Sequence, residues 1–236
     1  MKIFVLIPAY NEKGNLNDLI SKIEKEFKKQ KIVFKIFFVL QGNDGSRELL
    51  AKLKKTKPYL DYIYYEKPLG IGKAYKVGYQ YLDKTATHIL TMDADLNHDI
   101  IDLSRFIQMM KKNYADLIIG SRFIKGGRFD EKRVWKIIAS RLTNKIVTQI
   151  MGIKVKDISS GYRFMKKEVA EKVRLNLKYD GYPSYMEFIL YANRYGFNIA
   201  EIPITYHYRI WGKSKISSFK TLVDYFRFML SIVFNF

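Results

Sequence analysis

The chain has 236 residues, 48% hydrophobic and 28% charged, which suffices for one large α/β domain or two small ones and excludes a disordered or low-complexity protein. A formal net charge of +19 favours an anionic partner: phosphorylated substrates, an anionic membrane surface or nucleic acid. The absence of cysteine excludes a disulfide framework and a thiolate metal site and points to a reducing compartment; no apolar signal segment opens the chain, and a cytoplasmic location is expected.

Residues 2 to 8 form a β-branched and aromatic run that reads as a central strand ending at Pro8, with Tyr10, Asn11 and Glu12 in the loop beyond. A helix is expected from about Asn15 to Lys29, with Leu16, Leu19, Ile20, Ile23 and Phe27 on one face. Ile32 to Leu40 reads as a second strand, followed by the turn Gln-Gly-Asn-Asp-Gly-Ser, whose Ser46 can cap the next helix. Residues 61 to 65 give a third strand, and Gly70-Ile-Gly-Lys-Ala then opens a helix. This is not a nucleoside-triphosphatase loop: Lys67 holds the first glycine position and Ala74 follows Lys73.

The central stretch is Thr-His-Ile-Leu-Thr-Met-Asp-Ala-Asp-Leu-Asn-His, residues 87 to 98. An apolar run ending in two acids reads as a buried strand leaving the sheet at its carboxyl edge, where open α/β sheets bind ligands. In extended chain Asp93 and Asp95 point the same way and Asn97 continues the period, a pattern of hard oxygens suited to Mg²⁺ or Mn²⁺ and, through it, to a diphosphate. Leu103, Phe106, Ile107 and Met110 follow at helical spacing, and a strand from Asp116 to Gly120 ends in Ser121-Arg122. Repeated strand and helix alternation predicts a mostly parallel sheet with helices on both faces.

Residues 123 to 133 form a basic, glycine-containing loop, a candidate lid. The next helix is expected to send Val134, Ile137, Ile138, Leu142, Ile146, Val147 and Ile150 to the core, with Lys136 and Ser140 on another face. Asp157 to Gly161 reads as a turn before a short strand, Tyr162 to Met165; Ser184 to Tyr195 as a helix; Ile199 to Tyr206 as one strand. From 219 to 236 a terminal helix places Leu222, Val223, Phe226, Met229, Leu230 and Val233 on one face, opposite Lys220, Asp224, Arg227, Ser231 and Asn235. Only nine uncharged residues follow Arg227, too few to span a bilayer. With Lys213, Lys215 and Lys220 before it, this helix suits a membrane interface; packing on the domain gives the same periodicity.

Six segments taken together resemble family 2 glycosyltransferases, with the nearest likeness to dolichol-phosphate mannose synthases and related polyprenyl-phosphate hexose synthases. They are Ile-Pro-Ala-Tyr-Asn-Glu (7 to 12), Met-Asp-Ala-Asp-Leu-Asn-His (92 to 98), Gly-Ser-Arg (120 to 122), Asp-Ile-Ser-Ser-Gly-Tyr (157 to 162), Glu-Ile-Pro-Ile-Thr-Tyr (201 to 206) and Arg-Ile-Trp-Gly-Lys-Ser-Lys (209 to 215). The resemblance implies an α/β, A-type glycosyltransferase fold: a Rossmann-like, mostly parallel sheet forming a single catalytic domain over 1 to 218. Its nucleotide-binding half would be 1 to 122 and its acceptor half 123 to 218, with an amphipathic interfacial helix over 219 to 236. Pro8, Tyr10, Glu12, Gln41 and Asp44 would line the nucleotide pocket, and Asp93, Asp95 and Asn97 would hold Mg²⁺ or Mn²⁺ on the donor diphosphate. Arg209, Ser214 and Lys215 would close over the donor phosphates, and Arg122, Lys136 and Ser140 would receive the lipid phosphate; Asp93, Asp95 and Arg122 form the catalytic set. One departure concerns the base. Where the family carries paired aspartates at the end of the second strand, this chain has Val39-Leu40-Gln41, so guanine and uracil both stay open.

The chemistry so implied is attack by a polyprenyl phosphate oxygen on a GDP- or UDP-hexose, most simply mannose, with inversion. Phosphate is anionic near neutral pH and needs no strong base. A sugar hydroxyl acceptor would need one, and Asp157 or Glu187 would be the candidates. Two other classes compete. Haloacid-dehalogenase-like phosphohydrolases also end a strand in Asp-x-Asp, but with Thr or Val where Asn97 stands and near the start of the chain. A nucleic-acid module would use the charge with 18 tyrosines and 16 phenylalanines, but no recognised signature accompanies them, and no nucleic acid is expected as partner. His98 and His207 are expected as solvated or capping side chains.

Overall fold

A computed structural model describes residues 1–208 and 218–235. The apolar runs become strands because both of their faces are covered. Along β1 (Lys2–Tyr10), Ile3, Val5 and Ile7 enter one core and Phe4 and Leu6 the other, every one fully buried. Each such side chain contributes roughly 1.5–3 kcal/mol, which fixes the register of the strand. β1 continues past Pro8 to Tyr10, two residues beyond its expected end. β2 (Val33–Gln41) pairs with it in parallel, placing Tyr10 beside Gln41.

Among the described residues the main sheet has the order β3-β2-β1-β4-β7-β5-β8, where β3 is Leu60–Tyr65, β4 His88–Thr91, β5 Leu117–Ser121, β7 Arg163–Lys166 and β8 Ile199–Pro203. All neighbours run parallel except β7, which is antiparallel to both β4 and β5. The mostly parallel sheet matches the expectation from alternation. One core lies under α1 (Lys13–Lys29), α2 (Ser46–Lys54) and α4 (Asp102–Lys111). The other lies under α3 (Ile71–Gly78), α6 (Lys167–Val173) and α7 (Pro183–Arg194).

The expected strand over 199 to 206 is interrupted. β8 ends at Pro203, and β9 (Thr205–Tyr206) leaves the main sheet to pair with β6 (Arg128–Phe129). The candidate lid is therefore held by backbone bonds, Arg128 N to Ile204 O (2.9 Å) and Asp130 N to Tyr206 O (2.9 Å).

α5 (Val134–Ile150) corrects the sequence reading most. Its apolar stripe faces outward: Trp135 is 63% exposed, Ile138 60% and Leu142 55%, with Val134, Ile146 and Ile150 also exposed, while Asn144, Val147 and Thr148 are the residues it buries. Periodicity identified an apolar face but not which side of the helix the protein covers. α8 (Ser218–Asn235) does two things at once. Phe228 and Ile232 are buried against the second core, and Phe226, Leu230 and Phe234 are exposed.

Candidate active site

The carboxyl ends of β1, β2 and β4 open on one edge of the sheet, the edge where parallel α/β sheets take ligands. β4 leaves that edge into the loop carrying Asp93, Asp95 and Asn97. Leu96 has φ = 61°, a conformation rare for a branched residue, and it turns Asn97 back on Asp95. Asn97 N and Nδ2 then donate to Asp95 Oδ1 (3.2 Å) and Oδ2 (2.9 Å), and Nδ2 also donates to Tyr206 Oη (2.9 Å). Asn97, expected as a metal ligand, uses its backbone N and Nδ2 on Asp95 and Tyr206. Tyr185 Oη, from α7, donates to Asp93 Oδ1 at 2.9 Å. His98 is neither solvated nor a cap: it is buried, packed at a tilt on Tyr162 and edge-on to Tyr206, with Nε2 3.4 Å from Asp93 Oδ2. His207 is half-exposed, between Asp99 and Asp130.

The nucleotide side follows the end of β2. Gln41 is buried and accepts Leu69 N at 2.7 Å, a bond that fixes its carboxamide with the oxygen toward residue 69 and leaves the NH₂ as the donor. Glu12 stands at the N-cap position of α1 without a side-chain capping bond, and its carboxylate accepts Asn15 Nδ2 (2.6 Å). Asp44, expected to touch nucleotide, braces the turn: Oδ2 accepts Lys13 N (2.8 Å), and Oδ1 accepts Ser46 N (3.0 Å) and Ser46 Oγ (2.6 Å). Burial alone would raise its pKa, but the bonds from Ser46 and Lys13 outweigh that and hold it below the usual carboxylate range. The amino end of α3 does not receive an anion, since Gly72 N and Lys73 N donate to the carbonyl of Asp180.

The acceptor side begins at the end of β5. Arg122 donates through N (2.9 Å) and Nε (2.8 Å) to Asp157 Oδ2, and through Nη2 to Asp157 Oδ1 (2.7 Å) and Ser159 Oγ (2.8 Å). The fork expected to grip a phosphate is spent on Asp157, leaving Nη1 with no bond among the described residues. The rings of Phe123, Phe129 and Tyr206 surround this guanidinium at 4.8–5.6 Å. Burial opposes both charges of the pair, but their mutual attraction outweighs it, raising Arg122 and lowering Asp157. Asn144 on α5 donates to Ser159 Oγ (2.9 Å) and Ser140 O (2.8 Å). Lys136, Ser140 and Asn144 recur every four residues along α5, and Asn144 ties that helix to Ser159, which Arg122 also bonds. Glu187, the other candidate base, is buried and accepts Lys178 N (2.8 Å) and Tyr179 N (3.1 Å).

The sequence model for glycosyl transferase family 2 matches residues 4–174. The chain belongs to that family. The polyprenol monophosphomannose synthase of Mycolicibacterium smegmatis is 30% identical over 220 residues, covering 92% of this chain and 81% of that one. The dolichol-phosphate mannosyltransferase of Pyrococcus furiosus is 32% identical over 231 residues, 96% of this chain but 62% of its own length, so the chain spans under two thirds of that relative. The fold of this glycosyltransferase is similar to crystal structures of glucosyl-3-phosphoglycerate synthase from Mycobacterium tuberculosis in complex with Mn²⁺, UDP and phosphoglyceric acid (TM-score 0.70, 15% identity, 98% of this chain and 78% of that one). It is also similar to S. aureus TarS 1-349 in complex with UDP-GlcNAc (TM-score 0.67, 15% identity, 98% and 65%). These establish the A-type glycosyltransferase fold.

The sequence reading grouped Asp93, Asp95 and Asn97, and separately Arg122, Lys136 and Ser140; in this family 2 glycosyltransferase Asn97 bonds Asp95, and Arg122 bonds Asp157 and Ser159, with Asn144 of α5 on the same Ser159 hydroxyl. Arg209, Ser214 and Lys215 lie outside the described residues. Four contributors were missed as functional: Tyr185, Tyr206, Ser159 and Asn144. Ser159 and Tyr206 sat inside quoted motifs, whereas Tyr185 and Asn144 carried no local signal.

Proposed function

We propose that this family 2 glycosyltransferase moves a hexose, mannose in the first instance, from a GDP-sugar to a polyprenyl phosphate at a membrane surface, inverting the anomeric carbon. One observation carries this reading: the acidic loop of Asp93 and Asp95 and the cationic group around Arg122 meet at Tyr206, and the helix beyond Arg122 turns a bare apolar face outward. A lipid phosphate has that pair of ends, an anionic head and an apolar tail. The names of the two synthases above support the same acceptor.

The donor set fits a divalent cation. Asp93 and Asp95 are hard oxygen ligands on one loop, and among the described residues no cluster of three or more His, Cys, Asp or Glu side chains completes a cage. A Mg²⁺ site of one or two carboxylates takes its remaining ligands from substrate phosphates and water. Mg²⁺ or Mn²⁺ held there supplies positive charge to the departing diphosphate. A phosphate oxygen of the lipid forms the new bond to the anomeric carbon while the bond to the nucleoside diphosphate breaks, and the leaving group departs as the diphosphate anion. Lys136, Ser140 and Arg122 Nη1 orient the attacking phosphate, and Arg209 and Lys215 are assigned to the donor diphosphate. No general base is required, in keeping with Asp157 and Glu187 both being engaged by internal donors.

No described helix is long and apolar enough to cross a membrane. We assign the outward faces of α5 and α8 to a bilayer interface, flanked by Arg133, Arg141, Lys145 and Arg227, and place the enzyme peripherally at the cytoplasmic leaflet. A transfer assay tests the whole: GDP-mannose, UDP-glucose and UDP-GlcNAc each offered with Mn²⁺ and vesicles containing polyprenyl phosphate. Mannosyl lipid formed from GDP-mannose is the expected product. Transfer to saccharide hydroxyls with none to lipid, or release of phosphate from a monoester instead, would replace this reading, and lipid product from a UDP-sugar alone would reassign the donor.

A further inference from the structure

The wiring behind the acidic loop assigns a role to a residue outside every motif. Tyr185 sits on α7, 92 residues from Asp93, and its hydroxyl donates to Asp93 Oδ1 at 2.9 Å. Its ring is held from several directions: the Arg163 guanidinium lies 5.3 Å from its centroid, Tyr75 meets it edge-on at 5.7 Å, and its backbone carbonyl accepts Arg163 Nη2 at 2.7 Å. The hydroxyl occupies a slot that only glycine leaves open, because a Cβ at Gly161 would stand 2.8 Å from Tyr185 Oη. Gly161 is fixed in turn, its carbonyl accepting Thr91 Oγ1 (2.8 Å) from the end of β4, two residues before Asp93.

A carboxylate that binds a cation has to present its oxygens in one orientation, and hydrogen bonds to it set that orientation. Asp93 Oδ1 accepts from Tyr185, while His98 Nε2 lies 3.4 Å from Oδ2 without a hydrogen bond. We propose that Tyr185 is a positioning residue for divalent-cation binding: it orients the Asp93 carboxylate, and Gly161 provides its slot. This rests on the assignment of Asp93 and Asp95 to a cation shared with the donor diphosphate.

The experiment is Mn²⁺ binding to the full chain in the presence of GDP, followed by electron paramagnetic resonance of free Mn²⁺, for wild type, Tyr185→Phe, Gly161→Ala and Asp95→Ala. Tyr185→Phe keeps the ring and its packing and removes only the donor. We expect its Mn²⁺ affinity to fall about 10-fold or more, Gly161→Ala to fall in parallel, and transfer by Tyr185→Phe to recover as Mn²⁺ is raised. Melting temperature of Tyr185→Phe within about 2 °C of wild type separates this from a loss of fold. Wild-type affinity in Tyr185→Phe, with binding lost in Asp95→Ala, overturns the positioning role while leaving the cation site standing. Absence of Mn²⁺ binding in wild type overturns both, and a rate deficit in Tyr185→Phe that no concentration of Mn²⁺ corrects overturns the positioning role in favour of a direct one.

Discussion

Replacing Asp157 by Asn tests the acceptor side of the site at its foundation. The Asp157 side chain has no solvent exposure and Arg122 only 11%, and the carboxylate takes three bonds from Arg122 and one from Ser159 Oγ (3.1 Å). The amide keeps one acceptor oxygen but turns an NH₂ toward a guanidinium that has nothing else to neutralise it. Removing one partner of a buried pair costs about 3–5 kcal/mol; the retained acceptor puts Asn near the lower figure, about 3 kcal/mol. For a chain of this size that corresponds to a fall in melting temperature of roughly 6–12 °C at pH 7, read by calorimetry. The sign with pH is fixed. Asp157 titrates lower in the folded protein than the usual value near 3.9, so its contribution is complete above that pH and disappears as pH falls through the lower folded value. The gap between wild type and Asp157→Asn should therefore narrow in acid. A variant that melts within about 2 °C of wild type at pH 7, or a gap indifferent to acid, would refute the argument that this pair holds Arg122 in place.

Three further outcomes are expected. Asp95→Ala should lower donor turnover at saturating Mn²⁺ by about 100-fold or more with little change in melting temperature, since the loss is of charge at the leaving group. Trp135→Ser/Ile138→Ser/Leu142→Ser should leave the melting temperature within about 2 °C, because these side chains have no core to leave, yet weaken partition onto anionic vesicles by at least about 10-fold in a flotation assay. His88 stacks on Phe164, and burial, with the chain's amino terminus and Lys166, pushes its pKa down to about 4. Its folded pKa lies below the unfolded value near 6.5, so stability is full above that pH and declines as pH falls toward 4; His88→Phe should flatten that decline in pH-dependent melts.

What the sequence disclosed depended on the range of the interaction. Period-2 burial along β1 and the acid-ended strand before Asp93 are local patterns, and both were readable from neighbouring residues. The face of α5 was misassigned because helical periodicity is the same whether an apolar stripe is covered by the core or left exposed. The Tyr185 to Asp93 bond left no trace in the sequence, as nothing in Pro-Ser-Tyr-Met-Glu indicates where β4 ends in space. His98 was misread because burial of a polar ring is decided by its neighbours Tyr162 and Tyr206, the second of them 108 residues away, rather than by the polar turn in which it is written. The break after Pro203 was equally silent, since β8 and β9 form one continuous β-prone run and part only because they find different partners.

α5 has one more consequence. A helix of 17 residues that buries only Asn144, Val147 and Thr148 gains little from its own protein, and short helices in water are marginal by themselves. Amide exchange in this segment should accordingly be among the fastest of any helix in solution and should slow on contact with lipid. If Lys136 and Ser140 receive a lipid phosphate as proposed, their helix would stiffen where that acceptor is found, and the surroundings of the enzyme, rather than a moving part within it, would govern when the second substrate is received.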